Sequence, residues 1–65
     1  MPIVNASILV GRTLEAKSGF AKAITAAAVE HLGVKPEQVR VILTEIPHQH
    51  WFTAGESKVP AWPGA

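Results

Sequence analysis

The sequence contains no cysteine and no tyrosine, and its only aromatic residues are two tryptophans and two phenylalanines. Without cysteine there are no disulfides and no thiolate metal sites. Charge is also scarce. Asp, Glu, Lys and Arg make up 17% of the chain and sum to +1, too little for an electrostatic footprint for nucleic acid or an anionic membrane surface. No apolar run approaches the roughly 20 residues that span a bilayer. The N-terminus lacks the basic stretch and cleavage site of a secretory signal, so the cytoplasm is the expected compartment.

What is present is a short and rather apolar chain. Its 65 residues allow one domain, expected to cover 1–65, with 60–65 as a tail. A domain of this size buries only about 60% of the surface its unfolded chain exposes, so it needs a disulfide, a metal or a partner chain. Hydrophobic residues form 48% of the sequence, more than a small monomer readily covers with polar groups. Association with further copies is the expected source of stability.

The pattern along the chain reads strand, helix, strand. Over 3–10, Val4, Ala6, Ile8 and Val10 make one apolar face, while Ile3, Asn5, Ser7 and Leu9 make a second face that is half apolar. Gly11 and Arg12 end that strand. Thr13 is placed to cap a helix with Glu15 in its first turn, where the dipole favours a negative charge. The helix is expected to run to about Leu32. Its apolar stripe is Phe20, Ile24, Ala27, Ala28 and Leu32, its solvated side includes Lys22, Thr25 and Val29, and Gly33 is its left-handed terminator. Lys35-Pro36-Glu37 reads as a turn and 38–46 as a second strand, stopped by Pro47. A loop is expected over 48–55, with a short strand or hairpin over 56–59. The fold class is α/β: one βαβ unit with parallel strands and a right-handed crossover, plus a short C-terminal hairpin. Two strands and one helix leave a sheet edge and face uncovered, so the sheet is expected to be completed by oligomerisation. Trp62, in the tail, is expected to pack on a neighbouring subunit.

Particular residues then carry a resemblance. Pro2-Ile3, Ile8-Leu9-x-Gly11-Arg12 and Val39-Arg40-Val41-Ile42-Leu43-Thr44-Glu45 resemble the 4-oxalocrotonate tautomerase family, and His50-Trp51 with Gly55-Glu56 extends the similarity. It runs without gaps from Pro2 to about Glu56. The resemblance implies a homo-oligomer, usually a hexamer built as a trimer of dimers, with active sites at subunit boundaries. It implies enol–keto conversion of 2-hydroxydienoates or other 2-oxo acids, without cofactor or metal. The small-molecule substrate is the only partner expected besides further copies of the chain.

The same resemblance assigns roles. Pro2, its nitrogen exposed once Met1 is removed, is the general base. Arg40, reached from a neighbouring subunit, acts on the 2-oxo and 1-carboxylate end, and Arg12 grips a distal carboxylate. A guanidinium suits both tasks, because it binds carboxylate bidentately and keeps its charge. Arg12 also reads as a solvated turn residue, and Arg40 as an edge charge that deters aggregation. Trp51 stands where the family commonly has phenylalanine; it either walls the pocket or anchors an interface. Gln38 replaces a serine of the best-known members and either binds carboxylate or simply begins the strand. Leu9 either lends a backbone group to the site or is ordinary core.

The resemblance leaves two further readings open. A dehalogenase or hydratase of the same superfamily would use a cationic Pro2 with a water-activating carboxylate, but Thr53 occupies that position. A non-catalytic oligomerising module would result if Pro2 were blocked. His48-x-His50 has the spacing of two metal ligands on an extended segment but lacks a third. His31 suits the negative end of the helix dipole.

Overall fold

The computed structural model describes residues 2–57. Met1, Val59 and the 60–65 tail with Trp62 lie outside the described residues. Strand β1 (Ile3–Leu9) leads into helix α1 (Leu14–Leu32), a 3₁₀ turn over Pro36–Gln38, strand β2 (Arg40–Ile46) and a second 3₁₀ turn over His48–His50. The short strands β3 (Phe52–Thr53) and β4 (Glu56–Ser57) follow. β1 and β2 pair in parallel with Ile3 opposite Arg40 and Leu9 opposite Ile46. This is the expected βαβ unit.

The helix ends are made as the sequence suggests. The Thr13 hydroxyl accepts the Ala16 N–H at 3.1 Å. Gly33 takes φ 68° and donates its N–H to the Val29 carbonyl at 3.2 Å. A side chain in that left-handed region would be strained, which is why glycine closes the helix.

The inward face of the helix differs from the expected stripe. Lys17, Ala21, Ile24, Thr25, Ala28 and Val29 are the shielded positions, whereas Phe20, Ala27 and Leu32 are exposed. Polar groups on the inward face are satisfied locally. Thr25 donates its hydroxyl to the Ala21 carbonyl at 2.9 Å, and the Lys17 ammonium meets Glu45 on β2 at 3.1 Å. With those charges and dipoles met, the helix rolls so that its small residues, not Phe20 and Leu32, lie on the sheet.

The C-terminal hairpin begins earlier than expected. Phe52 pairs with Ser57 and Thr53 with Glu56, so the first strand falls within the segment read as a loop. Ala54 and Gly55 form the connection with φ of 54° and 78°. Two positive φ values in a two-residue loop match the twist of a hairpin.

The sheet has one covered face. Val4, Ala6 and Ile8 with Val41 and Leu43 are partly shielded on the helix side. Ile3, Asn5 and Ser7 with Arg40, Ile42 and Thr44 are exposed on the other. Ala28 is the only buried residue among those described, and Ile3 and Ile42 are 58% and 49% exposed. A single copy therefore has almost no core of its own. Among the described residues, no helix is long and apolar enough to cross a membrane.

Candidate active site

The start of the two parallel strands gathers three of the residues singled out by sequence. The Arg40 N–H donates to the Pro2 carbonyl at 3.0 Å, one residue before the Ile3–Arg40 pair opens the ladder. This bond locks Pro2 to β2 although proline has no N–H to offer the sheet. The Arg40 guanidinium donates through Nη1 to the Glu37 carbonyl at 3.1 Å, which leaves most of its fork available. Gln38 sits in the preceding 3₁₀ turn. Its side-chain oxygen accepts the Lys35 N–H at 2.9 Å, so it holds the turn that delivers the chain to Arg40.

The other end of the same strands holds Leu9 and Arg12. Leu9 is the last residue of β1 and is partly shielded. Gly11, at φ 115°, turns the chain, and Arg12 follows it just before the Thr13 cap. Arg12 borders a depression of about 240 Å³ whose other walls are Ile8, Ala16, Lys17 and Phe20. Among the described residues Arg12 has no hydrogen-bond or ion-pair partner. Trp51 comes after the turn that follows β2. Its N–H donates to the His48 carbonyl at 3.2 Å, and it is partly shielded.

Pro2 and Arg12 are therefore at opposite ends of β1. Its seven residues, at about 3.3 Å each, separate them by roughly 20 Å. No side chain bridges that distance. One chain carries an amine end with Pro2, Gln38 and Arg40, and an arginine end with Leu9 and Arg12.

The profile of the family described as Tautomerase enzyme matches residues 2–60. The chain belongs to the tautomerase family. Its match to a probable tautomerase of Ralstonia nicotianae is 44% identical over 61 residues, covering 94% of this chain and 87% of the relative. A 2-hydroxymuconate tautomerase of a Pseudomonas species is 38% identical over 56 residues, covering 86% and 89%. Among solved structures, a heterohexameric 4-oxalocrotonate tautomerase from Chloroflexus aurantiacus superposes with a TM-score of 0.85. It is 36% identical and the match covers 89% of this chain and 94% of that one. This tautomerase is thus an isomerase of the 4-oxalocrotonate kind, with the same βαβ fold.

Two contributors to the tautomerase's arginine end escape a reading of the sequence. Phe20 belongs to the apolar stripe of the sequence, yet it is 45% exposed and lines the depression beside Arg12. The signal was present: Ala16 and Phe20 lie four residues apart on one helix face, and Arg12 comes just before the cap of the same helix. Lys17 reads as an ordinary surface lysine until the fold places it opposite Glu45. That pairing also bears on the hydratase reading, which needs a water-activating carboxylate: Glu45 faces the helix and is engaged there by Lys17. Thr53 sits in the hairpin opposite Glu56. Among the described residues no three His, Asp or Glu side chains gather as metal ligands.

Proposed function

We propose that this chain, read as one domain over 1–65, catalyses enol–keto tautomerisation of 2-hydroxydienoates or related 2-oxo acids. Pro2 is the base, and Arg40 and Arg12 are the carboxylate binders. Once Met1 is removed, the Pro2 nitrogen is a secondary amine. Its lone pair takes the proton of the 2-hydroxyl group. The O–H electrons form the carbonyl, the conjugated double bonds shift, and a proton is returned to carbon. The charge that builds on oxygen during this step falls to Arg40, since a fixed cation in a desolvated site stabilises it best. Arg12 holds a distal carboxylate, Trp51 walls the pocket, Leu9 contributes its backbone, and Gln38 supports the carboxylate end. No cofactor is required by this chemistry.

The observation that carries the reading is the position of Pro2 and Arg40 at one end of β1 and of Arg12 at the other. A site using all three must be shared between copies. Two copies laid antiparallel along the free edge of β1 would set the amine end of each against the arginine end of the other. A two-fold contact of this kind forms two equivalent sites. Three such pairs, making a hexamer, would cover the exposed Ile3 and Ile42 face.

An ordinary α-amine titrates near about 7.7–8.0, and a base works best when its pKa lies close to the working pH. Apolar walls and neighbouring guanidinium charges both favour the neutral amine. The reading is tested with two preparations, checked by mass, one beginning at Pro2 and one retaining Met1. The first should ketonise a 2-hydroxydienoate and the second should not. Equal rates would remove Pro2 as the base.

A further inference from the structure

The depression beside Arg12 is bordered by two cations, yet only one is free. Lys17 lines it together with Arg12, and its ammonium is paired with Glu45 at 3.1 Å. Lys17 also lines a second depression, bounded by Leu14, Ala21, Val41, Leu43 and Glu45. Glu45 borders the second and not the first. The ion pair therefore holds the ammonium against Glu45 on β2. The remaining walls of the Arg12 depression, Ile8, Ala16 and Phe20, are apolar.

The pair sits where it can set the charge of that depression. Glu45 is opposite Ile8 in the ladder, so it lies on the helix side of the sheet directly beside the depression's floor. Lys17 is anchored by its own backbone, whose N–H donates to the Thr13 carbonyl at 3.1 Å in the first helical turn. The ammonium is thus on a flexible stem attached to a fixed point. In this structure its partner is Glu45.

We propose that Glu45 is a specificity-determining residue of the arginine end: by holding Lys17 it leaves a single free cation, matched to one carboxylate. This rests on the reading of Arg12 as the binder of the distal carboxylate. Removing the negative charge of Glu45 releases a second cation into the same depression. Anionic distal groups are then held more tightly, while substrates without that group are unaffected. Removing Lys17 alone leaves an unbalanced anion nearby and has the opposite effect. Removing both charges restores the original balance.

The test measures KM and kcat for a dicarboxylate dienol and for a monocarboxylate aryl enol in Glu45→Gln, Lys17→Met and the double variant. Partly exposed charges of this kind shift affinity by about two- to fivefold. For the dicarboxylate, KM should fall by that factor in Glu45→Gln, rise by it in Lys17→Met and return to the parent value in the double variant. For the monocarboxylate all three should match the parent. Any two variants that fold and assemble establish the order. A merely structural role for the pair would move both substrates together, and that result overturns the proposal, as does an unchanged dicarboxylate KM. Arg12→Ala, measured alongside, keeps two failures apart. If it loses the dicarboxylate preference while Glu45→Gln changes nothing, this proposal alone falls. If it keeps the preference, the reading of Arg12 fails and the proposal fails with it.

Discussion

The Arg40 N–H is bonded to the Pro2 carbonyl at 3.0 Å, so the residue proposed as base and one of the proposed substrate binders are joined through the backbone. The bond fixes where β1 begins. Because it involves only main-chain atoms, side-chain substitution of Arg40 leaves it in place. Arg40→Ala should therefore assemble normally while losing turnover, at least about a hundredfold if it stabilises the developing oxyanion. Sedimentation and steady-state kinetics check the two halves of this statement. A loss of assembly in step with activity would give Arg40 a structural role instead.

Arg12→Ala should raise KM for a dicarboxylate dienol more than for a monocarboxylate enol. The side chain has no partner within the described chain whose loss would complicate the comparison. Equal changes on both substrates would separate Arg12 from the distal carboxylate.

The pH dependence follows from the sign of the base reaction. A protonated amine cannot accept the enol proton, so the rate should fall as pH drops through one ionisation of the Pro2 nitrogen. Pro2→Ala, which presents a primary amine, should keep part of the activity with a displaced profile. A profile identical to that of the parent would point to another base.

The chain should not exist as a folded monomer at micromolar concentration. Ala28 alone is buried among the described residues, and the Ile3–Ile42 face lies open. Analytical ultracentrifugation should find an even number of subunits, most simply six. A compact 6.9 kDa species would rule out the shared site.

Ala54 occupies the left-handed region at φ 54°, next to Gly55 at 78°. Non-glycine residues pay a steric cost there of roughly 1–2 kcal/mol, least for Asn. Ala54→Asn should raise the thermal midpoint modestly, and Thr13→Ala should lower stability by about 1 kcal/mol through loss of the cap on Ala16. Denaturant or thermal melts at fixed subunit concentration read both.

The parts legible in the sequence are those set by local rules. Thr13, Gly33 and Pro47 punctuate the chain, and alternation marks the two faces of β1. The helix face was harder to read. Thr25 and Lys17 look solvated by composition, but one finds the Ala21 carbonyl and the other finds Glu45, a contact between residues far apart in the chain. The hairpin starts ahead of the expected segment because Phe52-Thr53-Ala54-Gly55 carries a weak turn signal, with alanine where asparagine or aspartate is usual. For the candidate site, residue types pointed to carboxylate chemistry, while the roles came from resemblance. The division of the site between the ends of β1 needed the register, which shows that Pro2 and Arg12 never meet within one copy.

That division has a consequence for inheritance of defects. If each chain gives its amine end to one site and its arginine end to another, a copy faulty at one end spoils one site, while a copy faulty at both ends spoils two. With free mixing, a cell carrying one normal and one Arg12-deficient allele would retain activity in proportion to the dose of normal protein, whereas an allele disabled at both ends would leave less than that dose predicts. Two chains disabled at opposite ends, each inactive alone, would regain activity when allowed to mix. In their mixed pairs, one of the two sites receives both of its intact halves.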